Sequence, residues 1–328
     1  MSAPGRTRLH IVTGKGGTGK TTVASALALT LAAGGRRVLL IEVEGRQGIA
    51  QLFDVPQLPY EERKVAVARD GGDVFALAID PEDALYEYLD MYYRLGRAGK
   101  ALRKVGVVEF ATTVAPGVRD VLLTGKAYEA VRRREGQQYV YDAVVVDAPP
   151  TGRIGHFLNV NTEVAGLAKV GPIRRQADSI MELLRSPRTA VHLVTLLEEM
   201  PVQETLDAVG ELHALELPIG AVVVNQTRRP ALRGTDLQAA RRGQLDRTEI
   251  DKGLAAAGLD GHSGLVDALE REAASHAERV QLERAQRRRL SGVDLPVVTL
   301  PWLADGVDLA GLYQLADELG HVKGEPPW

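Results

Sequence analysis

Residues 14–22 read GKGGTGKTT, and this stretch decides the fold. Gly14, Gly19, Lys20 and Thr21 complete a G-x-x-x-x-G-K-[ST] pattern, the loop that cradles phosphates. Glycines let backbone N–H groups converge on phosphate oxygens, where side chains would block the approach. The flanks fit. LHIVTG (9–14) reads as a buried strand that stops at glycine, and the alanine- and leucine-rich stretch from about Lys20 to Ala33 reads as a helix ending at Gly34-Gly35. That helix brings its positive dipole end to the loop. Lys20 is expected to reach the β- and γ-phosphates and Thr21 to ligate Mg²⁺.

Working outward, RRVLLIEVE (36–44) is a second apolar strand, so strand, helix and strand make a βαβ unit with parallel strands. The rhythm continues in VFALAID (74–80), YDAVVVDAP (141–149), AVHLVTLL (190–197), IGAVVVNQ (219–226) and DLPVVTLP (294–301). Helical stretches such as PVQETLDAVGELHAL (201–215) separate the later ones. Seven such strands predict an α/β fold with a doubly wound, mostly parallel sheet. Two stretches, about 81–137 and 235–290, carry helical rather than strand patterns. They read as helical insertions on a single domain spanning 1–328, with Thr235 and Gln238 as a capping box for the second.

The bulk numbers remove several functions. Hydrophobic residues make up 45% and charged residues 25% of 328, and the net charge of -3 offers no global basic field to nucleic acid. There is no cysteine, which excludes disulfides, thiolate zinc sites, iron–sulfur clusters and cysteine nucleophiles. A cytoplasmic setting fits that count. The longest apolar tract, VASALALTLAA (23–33), falls short of the ~20 residues of a membrane span, so any membrane contact is expected to be peripheral.

A second lysine, Lys15, stands where the loop pattern asks for nothing. Two ammonium groups in one short loop repel unless anions lie between them. A lysine at the loop's start is poorly placed to reach its own γ-phosphate. It could project across a dimer interface to the partner's phosphates, as an arginine finger does in trans. The plain alternative is a solvated surface lysine.

GKGGTGKTT resembles the deviant Walker A loop, with its extra lysine, of the MinD/ParA-type ATPases, the nitrogenase iron protein and the ArsA-type ATPases. VVVDAPPTGRIGHFL (144–158), ALAIDPEDAL (76–85), APGVRD (115–120), VVVNQ (222–226) and LPWLADGVDLAGLY (300–313) resemble ArsA-type segments in the same order. The likeness covers nearly the whole chain and is nearest to cysteine-free bacterial anion-transporting-ATPase-like members. It implies an Mg²⁺-dependent ATPase binding ATP or ADP, with Lys15, Lys20 and Glu44 catalytic. Gly14, Gly16, Gly17, Thr18, Gly19, Lys20, Thr21 and Thr22 would hold the phosphates, and Gly152, after Thr151, would sense the γ-phosphate. Asn225 would read adenine, flanked by Pro301, Trp302 and Leu303, although a strand-end asparagine also forms turns and Trp302 could equally belong to the core. Thr21 and Asp147 would hold the metal.

One stretch departs from the family. Its first switch carries an aspartate in D-P-A-H, where this chain has Glu44-Gly45-Arg46-Gln47. Glutamate moves the carboxylate by about 1 Å, which can cost on the order of 100-fold in rate. Gln47 could compensate by placing water; Glu42 is a second acidic candidate with a structural role favoured.

The output would be ATP-driven closure of a homodimer, or of a heterodimer with a related ATPase, acting on an unknown protein or small-anion client. The surface would lie on the first insertion, where Leu85, Leu89 and Tyr92 share a face widened by Tyr86, Tyr88, Met91 and Tyr93. Simple packing is the alternative. Lys100, Arg103 and Lys104 read as a solvated face, Arg287, Arg288 and Arg289 as the basic end of a charged helix, and His10, His192 and His262 show no metal spacing. The rival functions are a nucleotide-binding, weakly hydrolysing subunit and a MinD/ParA-type positioning ATPase.

Overall fold

Strand β1 (Leu9–Gly14) is buried at all six positions and lies at the centre of the sheet. A computed structural model describes residues 7–93, 116–160, 172–259, 264–322 and 328. The chain continues through α1 (Lys20–Ala32), β2 (Arg37–Glu42), α2 (Gly48–Leu52), β3 (Arg63–Val67), β4 (Asp73–Ala78), α3 (Pro81–Tyr93) and α4 (Pro116–Arg132). A two-residue hairpin, β5 (Arg134–Glu135) and β6 (Gln138–Tyr139), leads to β7 (Ala143–Asp147), α5 (Thr151–Leu158) and α6 (Pro172–Leu184). Then follow β8 (Thr189–Thr195), α7 (Glu199–Ala214), β9 (Ile219–Thr227), α8 (Gly234–Arg241), α9 (Arg247–Ala256), α10 (Leu265–Leu290), β10 (Val297–Pro301) and α11 (Leu309–Gly320).

The main sheet has the order β10-β9-β8-β1-β7-β2-β4-β3, and every pairing is parallel except that of β3 with β4. This is the doubly wound sheet expected from the sequence. Helices cover both faces, so central strands read as unbroken apolar runs. Alternation within each strand then assigns residues to layers. Leu9, Ile11, Leu39, Ile41, Val144 and Val146 face α4, α5, α6 and α7, while Val12, Val38, Leu40 and Val145 face α1 and α11. Ala24, Ala26, Ala28 and Ala32 are fully buried, which lets α1 lie close between sheet and α11; Thr30 Oγ1 donates to Ala316 O at 2.9 Å.

Three local readings need correction. The sequence reading missed β3, whose exposed Arg63 and Lys64 mask a short alternating pattern at the sheet edge. The first insertion ends in the β5–β6 hairpin, which a helical reading to residue 137 overran. Helix α8 begins one residue before Thr235 with Arg233 at its N-cap; Thr235 Oγ1 instead donates to Asp236 at 3.3 Å, so the capping box does not form.

Helices α8, α9 and α10 follow β9, with Arg287, Arg288 and Arg289 in the last turn of α10. In α3, Leu85 is buried and Tyr86 packs against the core. The side chains of Tyr88, Leu89, Met91, Tyr92 and Tyr93, residues 99–108 and His262 lie outside the described residues. No helix among the described residues is long and apolar enough to cross a membrane.

Candidate nucleotide site

The sheet's winding reverses beside β1, and in open α/β sheets ligands bind beyond the carboxyl ends of strands at such a point. Register aligns the candidates there. Val12 stands opposite Asp147 across β1 and β7, and Glu42 opposite Asp147 across β2 and β7, while Gly14 pairs with Val194. The loop leaves β1 at Gly14, where a Cβ would lie 2.2 Å from the Val194 carbonyl oxygen, so glycine is required by contact alone. Gly17 and Gly19 both take φ of 87°, a left-handed conformation that glycine adopts without cost. At Gly16 and Gly17 a Cβ would meet nothing within 4 Å, so the concave side is open to a ligand. Thr18 is buried and closes the loop on itself, its Oγ1 donating to Lys15 O at 2.8 Å. Thr21 and Thr22 lie half-buried in the first turn of α1.

The two residues expected to hold a metal are in contact. Thr21 Oγ1 donates to Asp147 Oδ2 at 2.6 Å, while Asp147 Oδ1 is buried without a hydrogen-bond partner. Burial pushes the Asp147 carboxyl up to about 6; the Thr21 bond and Lys20 pull it down, and Glu42 and Glu44 push it further up. An unpartnered buried carboxylate oxygen beside a hydroxyl is a donor set that suits a hard cation such as Mg²⁺. Burial also lowers the Lys20 ammonium, opposed by Asp147 and Glu44.

The stretch expected to form the first switch is held by side-chain hydrogen bonds. Glu42 is buried and accepts N–H bonds from Gln47 and, at 3.1 Å, from Ile49, which fixes the loop entering α2. The structural role favoured for Glu42 is what the geometry shows. Gln47 is turned towards Leu58: its Nε2 donates to Leu58 O at 3.1 Å and its Oε1 accepts from Leu58 N at 2.7 Å. One amide hydrogen and one lone pair of Gln47 remain beside these two bonds. Glu44 remains at the site, its carboxylate 3.8 Å from Arg46 Nε and near enough to Lys20 and Asp147 to bias both.

Thr151 and Gly152, expected to sense the γ-phosphate as a second switch, start a helix. Pro150 is the N-cap of α5, so Thr151 and Gly152 occupy its first turn, where backbone N–H groups lack intrahelical partners. Gly152 is exposed, with open space where a Cβ would stand. Thr13 Oγ1 donates to Pro149 O at 2.6 Å and ties this switch to β1.

Asn225 lies under the loop. It is 5% exposed; its Nδ2 donates to Thr18 O at 2.9 Å and its Oδ1 accepts from Gln226 N at 2.9 Å. One amide hydrogen and one lone pair remain for a base. Asn225 also borders a cleft of 320 Å³ with Leu197, Arg228 and Arg279. Pro301 ends β10, and Trp302 is 43% exposed with the Arg228 guanidinium 4.1 Å from its ring, so the core alternative for Trp302 fails. Leu303 instead packs against the core. A larger cavity of 510 Å³ lies among α3, α4 and α6, away from the loop; a backbone phosphate nest is shallow and need not be the widest hollow.

Lys15 does not dangle in solvent. Its Nζ pairs with Glu204 of α7, whose other oxygen accepts from Thr151 Oγ1 at 3.1 Å. Glu204 was invisible in the sequence, where nothing joins it to a loop 189 residues earlier. His10 and His192 are a buried stacked pair, Nδ1 to Nε2 3.1 Å, and no cluster of metal-ligating residues stands out among the described residues.

The model of the anion-transporting ATPase (ArsA) family matches residues 7–187. The chain belongs to this family. The ATPase BagA of Mycobacterium tuberculosis is 56% identical over 313 residues, 95% of this chain and 92% of that protein. A putative arsenical pump-driving ATPase of Aquifex aeolicus is 25% identical over 251 residues, 67% of this chain and 80% of its own length. The ATPase GET3 of Kluyveromyces lactis is 25% identical over 254 residues, 67% and 72% of the two chains. Family membership makes ATP hydrolysis the activity at family level.

Proposed function

We propose that this ArsA-family chain is an Mg²⁺-dependent ATP hydrolase, working as one domain, whose output is nucleotide-driven pairing of two subunits. The observation that carries the reading is the buried Asp147 oxygen left open beside Thr21 and Lys20. Thr21 and Asp147 would hold Mg²⁺, which when bound would supply positive charge beside the phosphates. Lys20 and the N–H groups of residues 14–22 would orient the phosphates, and Glu44 would orient the attacking water. Thr151 and Gly152 would report the γ-phosphate. Asn225, Pro301 and Trp302 would hold the base, and Lys15 would serve the partner's nucleotide.

Pairing would alter the surface of α3 and α4, where a protein or small-anion client would bind. Arg153 of α5 lies 3.7 Å from Asp120 of α4, a contact that would carry the second switch's movement to this layer. The arsenical role in the Aquifex relative's name does not extend to thiolate capture here, because the chain has no cysteine. Phosphate release with ATP and Mg²⁺ tests the reading. Lys20→Ala and removal of Mg²⁺ by EDTA should each lower the rate by about 100-fold or more. Wild-type release at background level would refute it.

A second reading has its own support. Gln47 is tied to Leu58 and Glu44 replaces the family's aspartate. A subunit that binds ATP and pairs with a related ATPase but turns over slowly fits these two features. Tight ATP binding without turnover would favour it.

A further inference from the structure

We propose that Glu204 is a positioning residue: it parks Lys15 inside its own subunit and gives it up when nucleotide moves the second switch. The inference rests on the reading of Lys15 as a residue that acts in trans, and adds what restrains it.

The geometry is a single carboxylate with two dependants. One oxygen of Glu204 pairs with Lys15 Nζ, and the other accepts the Thr151 hydroxyl at 3.1 Å. Lys15 begins the phosphate loop and Thr151 is the first residue of α5, so Glu204 joins two segments that would touch nucleotide. Its own backbone is anchored. Val202 and Thr205 on either side are buried, and Thr205 Oγ1 donates to Pro201 O at 2.8 Å. Helices α5 and α7 are held close, since a Cβ at Gly155 would lie 1.9 Å from the Glu211 carboxylate. Other polar groups on this part of α7 are used elsewhere: Gln203 bonds Asp207 at 2.8 Å and also meets Arg289.

A lysine that reaches another molecule's phosphates must first leave this carboxylate. The side chains of Lys15 and Glu204 are 34% and 30% exposed, so solvent screens the pair and it holds the lysine by a factor of only about 2–5. That is weak enough for phosphate charge to overcome. Movement of Thr151 towards a γ-phosphate would remove the bond that orients the Glu204 carboxylate towards Lys15, and phosphate charge would then compete for the lysine. Lys15 would thus become available chiefly when the subunit's own site is filled.

The test uses the full-length protein and Glu204→Gln. Without nucleotide, acylation of Lys15 by an amine-reactive ester, read by mass spectrometry, should rise about 2–5-fold. Each pair releases two lysines, so association with ATP and Mg²⁺, measured by sedimentation, should tighten about 4–25-fold. In a Lys15→Met background Glu204→Gln should leave association unchanged, and Glu204→Asp should fall between wild type and Glu204→Gln. Unchanged Lys15 labelling in a folded Glu204→Gln protein would overturn the proposal, as would weaker association. If wild type neither pairs nor turns over with ATP while labelling still rises, the clasp stands and the pairing function falls.

Discussion

Replacing Asp147 with asparagine should stabilise the nucleotide-free protein while removing the proposed Mg²⁺-dependent activity. The Asp147 carboxyl is lifted from 3.8 to about 6, first by burial and then by Glu42 and Glu44. A shift of roughly two units corresponds to about 3 kcal/mol between the two protonation states. Because the folded value lies above the unfolded one, the carboxyl's favourable contribution is complete below about pH 3.8. It is lost as pH rises through 6. At pH 7.5 the wild type therefore carries an ionised, incompletely partnered carboxylate that asparagine would not. The amide oxygen can still accept the Thr21 hydroxyl, so the local geometry survives.

The expected gain at pH 7.5 is up to about 3 kcal/mol. Unfolding entropy scales with length, so for a chain of this size that is about 4 °C in melting temperature. The gain should shrink below pH 6 and vanish near pH 4. Urea melts in EDTA, without nucleotide, at pH 7.5, 5.5 and 4.2 would measure it. Saturating Mg²⁺ and ATP at 100 times the dissociation constant should return about 2.7 kcal/mol to the wild type and much less to the variant. A variant that is less stable at every pH, or whose gain does not change with pH, would refute the account of Asp147 as a charge awaiting a cation.

Other substitutions probe neighbouring steps. His192 is fully buried and burial depresses its imidazole from 6.5 to about 4, so its contribution is present above pH 6.5 and lost as pH falls through 4; His192→Asn should flatten acid unfolding over that window, up to about 3 kcal/mol. Gly14→Ala places a methyl group 2.2 Å from Val194 O; a loss of about 3 kcal/mol and of nucleotide binding should show in thermal melts with and without ATP. Glu42→Ala removes the acceptor for the Gln47 and Ile49 N–H groups; it should cost about 2–3 kcal/mol and lower turnover more than it weakens ATP affinity, as read by steady-state rates.

Much of this site was legible because its logic is local. The glycines, Lys20 and Thr21 lie within one octapeptide, and burial on two faces writes the central strands as apolar runs such as AVVVD ending in Asp147. Features that depend on distant partners were not. RKVAV hides a strand because Arg63 and Lys64 guard an edge. Nothing in the sequence around Gln47 shows that the chain returns at Leu58 to bond both ends of its amide. Glu204 reads as an ordinary helical glutamate, and only the fold brings it to Lys15 and Thr151.

The buried and half-buried groups around the loop share a pattern with a mechanical consequence. Each segment expected to touch nucleotide is held by a polar side chain from outside it or at its edge: the phosphate loop by Asn225, the first switch by Glu42, and Thr151 and Lys15 by Glu204, with Thr13 holding Pro149 as well. The ties differ in strength. Asn225 and Glu42 are buried and bond backbone groups, so breaking either would orphan a desolvated donor or acceptor at about 1–3 kcal/mol. The Glu204 clasp bonds only side chains, and its ion pair with Lys15 is partly solvated, so water can replace that bond. Incoming triphosphate charge should therefore leave the first two ties intact and release the third. On this ordering the loop and first switch act as a preformed receptor, and the element that changes state is the one joining Lys15 to Thr151.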